Sequence, residues 1–357
     1  MSTASPSPRL VVVTGSGRSG TSSMAGVLKL LGLRIPQPEV PATRSNPKGH
    51  FEPQWVVDFQ QRLLGRVHVK LTDARPQAFD DTARVGLRTD TQETLREWLA
   101  PQLTDPADVV VKDPRSTWFV PMWKQVADDL GANLATLTML RHPAEVVGSK
   151  NAYYYRKESP ERRRVGETSR VASWVNVAIF GELATRGRPR SFVRYTDLLI
   201  DWRKEVERIA KELDLGIHDG LPDEGVAAVD EFIDPDLHRI RVTWDDLEIP
   251  TELQDLAEEV WVQLDRLVDA GGHDETAEAA LDAARARYTQ MYNDAFALAS
   301  SSVDASVNAA LKKQRRQLNA KAKEQQAAQS KRGRTAIKQY ARKARAAAGR
   351  LRRSSNT

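Results

Sequence analysis

The chain has 357 residues, 40 % apolar and 28 % charged, with a net charge of +5, enough for one large α/β domain and an appendage. It contains no cysteine, which excludes disulfides, thiolate metal sites and cysteine nucleophiles, and its six histidines show no HxxxH or HxH spacing. Residues 312–353 carry sixteen Lys and Arg against a single acid, Glu324, or +15, which leaves −10 for the rest.

The N-terminus, MSTASPSPRL, has neither the basic nor the apolar region of a signal peptide, and no apolar run approaches the roughly 20 residues of a membrane span. The expected location is the cytoplasm. RLVVVT (9–14) reads as a buried strand, followed by a helix from Thr21 to about Leu33. DVVVK (108–112), LATLTML (134–140) and SFVRY (191–195) are further strands. Unbroken β-branched runs of this kind suit a parallel sheet covered on both faces. Helical patterns occupy 54–66, 91–101, 116–130, 143–155, 168–187 and 197–213, and strand–helix alternation implies a doubly wound parallel α/β fold. Residues 34–53, with five prolines, read as a long functional loop. Residues 216–250 read as mostly irregular, followed by helices over 251–269 and 274–299. The expected organisation is a disordered segment 1–8, an α/β domain 9–250, C-terminal helices 251–300 and a basic tail 301–357, helical or disordered and interrupted at SKRGR.

VVVTGSGRSGTSS (11–23) is a strand, a glycine-rich turn and a helix start. Gly15, Gly17 and Gly20 let the backbone turn its amides inward, and those of Ser16, Ser19 and their neighbours form an anion nest with the helix N-terminus. Thr21 and Ser22 add hydroxyl donors. A nucleoside triphosphatase carries lysine after the last glycine of such a loop; this chain carries Thr21 there and places its cation earlier, at Arg18. A cation in mid-loop suits one terminal anionic group on a shorter nucleotide.

GSGRSGTS resembles the 5′-phosphosulfate loop of the sulfotransferases that use 3′-phosphoadenosine 5′-phosphosulfate (PAPS). LRHPAEVVGS places Arg141 at a strand end and Ser149 eight residues on, the separation at which that family binds the donor's 3′-phosphate. Arginine offers a bidentate contact and serine a further donor. VVKDPR (110–115) resembles the Lys-Asp-Pro segment of the branch that includes tyrosylprotein sulfotransferases. RYTDLLIDWRKEVERIAKELDL (194–215) resembles the family's late strand–helix unit, in which a tyrosine like Tyr195 approaches the adenine. The resemblance spans residues 9–245. It implies the P-loop-like sulfotransferase fold with a helical C-terminal extension, PAPS as co-substrate, no metal, and a hydroxyl acceptor in a carbohydrate, glycolipid or small metabolite. Ser23 replaces the tryptophan found after the loop in many members. The late basic loop is not visible, and Arg239 or Arg241 of LHRIR could stand in for it.

Arg18 and Lys112, the latter at a strand end where open parallel sheets bind ligands, are the candidates for the leaving group's charge. Glu52 is the candidate base, because glutamate-using sulfotransferases carry it in a comparable place; His50 competes with it. The alternatives are a P-loop kinase-like phosphotransferase and a non-catalytic module tethered by its tail. That tail suits an anionic membrane surface, such as the inner face of the membrane, or a polyanion, with no signature of specific nucleic-acid readout. The sequence does not specify an oligomeric state.

Overall fold

The computed structural model describes residues 8–43, 46–104, 108–155, 159–234 and 241–354. Among them, four parallel strands form one sheet: β1 (Arg9–Thr14), β2 (Val109–Lys112), β3 (Asn133–Leu140) and β4 (Arg190–Arg194), in the order β2-β1-β3-β4. The helices are α1 (Thr21–Leu30), α2 (Gln54–Arg66), α3 (Ala78–Gly86), α4 (Thr89–Leu99), α5 (Val120–Asp129), α6 (Pro143–Tyr154), α7 (Pro160–Thr185), α8 (Tyr195–Ile200), α9 (Trp202–Glu212), α10 (Asp223–Phe232), α11 (Thr251–Asp269) and α12 (Glu275–Ser354).

Strand β1 explains its own composition. Val11 and Val13 pack with Met24 and Leu28 of α1, Leu198 of α8 and Val206 of α9. Leu10 and Val12 point the other way, onto Val56 and Phe59 of α2 and Trp123 of α5. With both faces covered, each position must be apolar, so the strand reads as a run rather than an alternation. The expected doubly wound parallel α/β architecture is therefore present. A third apolar cluster joins Leu140 and Phe192 to α7, α11 and the start of α12, where Ala277, Leu281, Ala284 and Tyr288 recur at helical spacing.

The order of strands places the site. The chain crosses from β1 to β2 on one side and later fills β3 on the other, so strand order reverses at β1. The crevice beyond the carboxyl ends of strands at such a reversal is where open α/β sheets bind ligands. The glycine loop after Thr14 and the Lys112 end of β2 both lie there, since Val13 is in register with Lys112.

Several element boundaries differ from expectation for identifiable reasons. Residues 216–250 are not irregular throughout: α10 occupies part of them, and its Gly225 approaches the α1 backbone so closely that a Cβ would lie 2.7 Å from the Leu30 carbonyl oxygen. The short helix α3 lies where no element was expected. The 197–213 pattern is two helices, broken at Asp201, whose carboxylate accepts from the Lys204 amide and caps α9. Helix α7 begins at Pro160, eight residues before the expected start, with proline in the first turn where its missing N–H costs nothing. The tail is not interrupted at SKRGR: α12 runs through it, a single Gly333 among strong helix formers costing only about 1 kcal/mol relative to alanine. Two compact units result, residues 1–292 and 293–357. In the second, Phe296, Leu298, Val307, Leu311 and Leu318 are exposed. No helix among the described residues is long and apolar enough to cross a membrane.

Candidate active site

The loop after β1 is shaped by two glycines with no alternative. Gly15 has φ +127°, and a Cβ there would lie 2.6 Å from the Met139 carbonyl oxygen of β3. Gly20 has φ +88°, and its Cβ would lie 2.2 Å from the Tyr195 ring. The Gly15 amide donates to Thr117 Oγ1 at 3.3 Å, which pins the loop's entry. Arg18 takes φ +78°, a left-handed conformation that costs a non-glycine residue of order 1–3 kcal/mol and is concentrated at functional sites. Gly20 caps α1 without a side-chain hydrogen bond, and the first turn of α1 holds no acid. The amide end of that helix therefore keeps its partial positive charge for a ligand.

Arg141 follows β3 and Ser149 lies on α6, buried on the helix's inner face. The Arg141 guanidinium donates to Glu145 Oε2 at 2.8 Å and to the Arg18 carbonyl at 3.3 Å, so it braces the loop. It also lies 5.1 Å from the centre of the Tyr195 ring. Tyr195 is thus wedged between Gly20 and Arg141. Arg18 Nε donates to Ser149 Oγ at 3.0 Å, and its guanidinium sits 4.2 Å over the Tyr153 ring. The loop cation and the α6 serine, expected at opposite ends of a donor, are bonded to each other here.

Lys112 and Glu52 form the second half of the site. Lys112 Nζ donates to Glu52 Oε1 at 2.5 Å, to Ser22 Oγ at 3.0 Å and to the His50 carbonyl at 3.2 Å. Both side chains are buried, the ammonium almost completely. The 34–53 segment brings Glu52 into place by folding back on itself: the Val40 amide donates to the Glu52 carbonyl and the Gln54 amide to the Pro38 carbonyl. Asn46 Nδ2 reaches across to Ser22 Oγ at 3.3 Å. His50 presents its backbone to Lys112 while its ring Nε2 pairs with Thr43 Oγ1 at 3.1 Å. Of the two competing bases, only Glu52 has its side chain on Lys112.

Behind Lys112 lies Asp113, fully buried. Its Oδ1 accepts from the Arg115 amide and guanidinium, while Oδ2 has no partner among the described residues. Burial pushes its carboxyl up to about 6; Arg115 opposes the shift and Glu52 adds to it. Because the folded value is raised above the unfolded one, this group binds more protons folded than unfolded between about pH 4 and 6, and stability falls as pH rises through that window. The loss totals up to about 3 kcal/mol at 1.36 kcal/mol per pKa unit. Asp113→Asn keeps an acceptor for Arg115 without the charge. Its stability relative to wild type is expected to improve between pH 4 and pH 7 in urea titrations; a pH-independent difference would contradict the assignment.

These groups line one cleft of about 460 Å³, within the range of ligand sites. Gly17, Arg18, Gly20, Thr21, Ser22, Glu52, Lys112, Arg141, Ser149 and Tyr195 all face it; Gly15, Ser16 and Ser19 lie behind the loop instead. Lys48 and Arg115 add to Arg18, Lys112 and Arg141, against the single carboxylate of Glu52. A cationic cleft in a part of the chain that is net acidic selects anions locally. Arg241 is exposed and is not among the cleft residues, and Arg239 lies outside the described residues. Among the described residues no group of three or more His, Asp and Glu could hold a metal ion.

Sequence reasoning missed Tyr153, Tyr154, Phe51 and Phe232, which also line the cleft. Tyr153 was within reach: it lies four residues after Ser149, on the same face of α6. Phe51 and Phe232 meet edge to face across a span of sequence that no local pattern links.

No protein-family model matches the chain. No curated protein matches it. Among solved structures, the chain is similar to the sulfotransferase domain of the olefin synthase of Synechococcus, with 18 % identity and a TM-score of 0.41 over 76 % of this chain and 98 % of that one. It is also similar to a sulfotransferase of Mycobacterium avium, with 17 % identity and a TM-score of 0.43 over 73 % and 76 %. A sulfotransferase of Mycobacterium tuberculosis shows 16 % identity and a TM-score of 0.39 over 72 % and 77 %.

Proposed function

We propose that this protein is a sulfotransferase that moves a sulfuryl group from PAPS to a hydroxyl acceptor in a carbohydrate, glycolipid or small metabolite. The observation that carries the reading is the convergence, in one cationic cleft, of a lysine-free glycine loop, the Arg141–Ser149 pair and the buried Lys112–Glu52 pair.

In this reading the loop amides and Arg18 hold the 5′-phosphate, and Arg141 and Ser149 take the 3′-phosphate. Without ligand, Arg18 Nε donates to Ser149 Oγ; in this reading the donor breaks that bond, Arg18 turning to the 5′-phosphate while the Ser149 hydroxyl donates to the 3′-phosphate. The acceptor oxygen attacks sulfur in line. A new O–S bond forms as the bond from sulfur to the bridging oxygen of the 5′-phosphate breaks. The hydroxyl proton passes to the Glu52 carboxylate, and the charge growing on the departing phosphate is met by Lys112, Arg18 and the amide end of α1. Catalysis is positioning and charge stabilisation by groups already fixed before reaction. Lys112 holds Glu52 in place and is itself held by Ser22 and the His50 carbonyl. Tyr195, locked between the loop and Arg141, lines the cleft where this reading puts the adenine end.

Thermal unfolding with added nucleotide tests the reading. The desulfated product, PAP, is expected to raise Tm, and ATP with Mg²⁺ to leave it where it was. A shift with ATP and Mg²⁺ but none with PAP would reject it in favour of phosphotransfer.

A further inference from the structure

Lys150 follows Ser149 on α6, and its side chain turns away from the cleft's open face. The residue is 93 % buried, being 7 % exposed. Its Nζ has no hydrogen-bond partner among the described residues. An ammonium in that position is costly unless something anionic or polar meets it. Burial pulls its pKa down to about 8, and Arg170 and Arg18 push in the same direction. Among the described residues, the charged groups that act on it are cations.

The space around Lys150 says what could meet it. It lines a small chamber with Gly15, Ser16 and Gly17 of the loop, Leu71, Thr72, Pro114, Ser173, Trp174 and Val177. Gly17, Leu71 and Pro114 belong equally to the main cleft, so the two spaces share a wall beside the loop and next to the Lys112 strand end. The chamber measures about 10 Å³, the size of a single oxygen or water centre. A whole ligand does not fit; the space admits one oxygen-sized atom.

We propose that Lys150 is a binding residue for the reacting oxyanion, its ammonium taking one oxygen of the sulfonate or phosphate group held at the glycine loop. The proposal rests on the sulfuryl-transfer reading and adds to it a third cation, supplied from behind the loop by the same helix that supplies Ser149. It accounts for two facts together: a buried lysine without a partner, and a chamber sized for one oxygen beside a nest of amides. A serine–lysine pair on one helix then serves two sites, Ser149 facing the cleft and Lys150 reaching beneath the loop.

The test compares full-length wild type with Lys150→Met and Lys150→Gln, by thermal unfolding with inorganic sulfate and by calorimetric titration with PAP and PAPS. Lys150→Met is expected to raise the ligand-free Tm, because an unpartnered buried charge is gone, and to lose the sulfate-induced shift. Donor affinity is expected to fall about 10- to 100-fold, the range for a charged hydrogen bond. A fall for PAP and PAPS alike assigns the oxygen to the phosphate; a fall for PAPS alone assigns it to the sulfonate. Unchanged affinities together with an unchanged sulfate shift in both variants would overturn the proposal and leave Lys150 a buried structural lysine. If wild type binds neither PAP nor PAPS, the sulfuryl-transfer reading fails. The sulfate arm still decides the oxyanion site, which stands if the shift disappears in Lys150→Met and falls if it does not.

Discussion

Glu52→Gln is expected to lower kcat by about 10²–10⁴, the usual contribution of a positioned general base, with PAP binding retained. Glutamine keeps an oxygen for Lys112 Nζ to donate to, as Glu52 Oε1 does at 2.5 Å, but it cannot accept the acceptor's proton. It also removes the carboxylate that pairs directly with the buried Lys112 ammonium. Removing one partner of a buried pair costs about 3–5 kcal/mol, so the variant is expected to be less stable without ligand. An anionic ligand in the cleft then restores part of what was lost, and the PAP-induced rise in Tm is expected to exceed that of wild type. Steady-state turnover and Tm with and without PAP check both halves. The companion change His50→Ala removes a ring that pairs with Thr43 rather than with Lys112 and is expected to leave kcat close to wild type. Full turnover in Glu52→Gln alongside a dead His50→Ala would transfer the base to His50.

The second large effect is on the donor rather than on the chemistry. Arg141→Ala is expected to weaken PAP by about 10²-fold, from the loss of one or two charged hydrogen bonds at roughly 1.5–3 kcal/mol each. Arg141 also braces the Arg18 carbonyl and holds Glu145, so a general loosening of the loop is a competing cause. Comparing PAP with adenosine 5′-phosphate separates the two. If Arg141 reads the 3′-phosphate, wild type prefers PAP and the variant loses that preference. If Arg141 only braces the loop, both nucleotides weaken together and the preference survives.

Much of the candidate site was legible because its residues are local in sequence. The loop needs closely spaced glycines, Gly15 and Gly20 above all, Lys112 is the terminal residue of an apolar run, and Arg141 stands just before the helix α6 that carries Ser149. What was not legible depends on long-range packing. That Arg18 would meet Ser149, 131 positions away, follows from the left-handed backbone at Arg18 and the approach of α6, neither of which has a residue signature. That Glu52 would bury its carboxylate on Lys112 depends on the 34–53 segment doubling back through Val40 and Gln54, in a stretch rich in proline and without periodicity. The same limit bears on α10, which packs by close approach of Gly225 to α1. In the tail, composition announced charge but not continuity, since one glycine in SKRGR is too weak a breaker to stop a helix.

A crystal structure of the protein with PAP tests the shared basis of these expectations most directly. The account predicts the 5′-phosphate over the amides of residues 17–22, the 3′-phosphate between Arg141 and Ser149, and Arg18 released from Ser149. A nucleotide bound elsewhere, or a cleft that stays empty at saturating PAP with Arg18 still on Ser149, would contradict it.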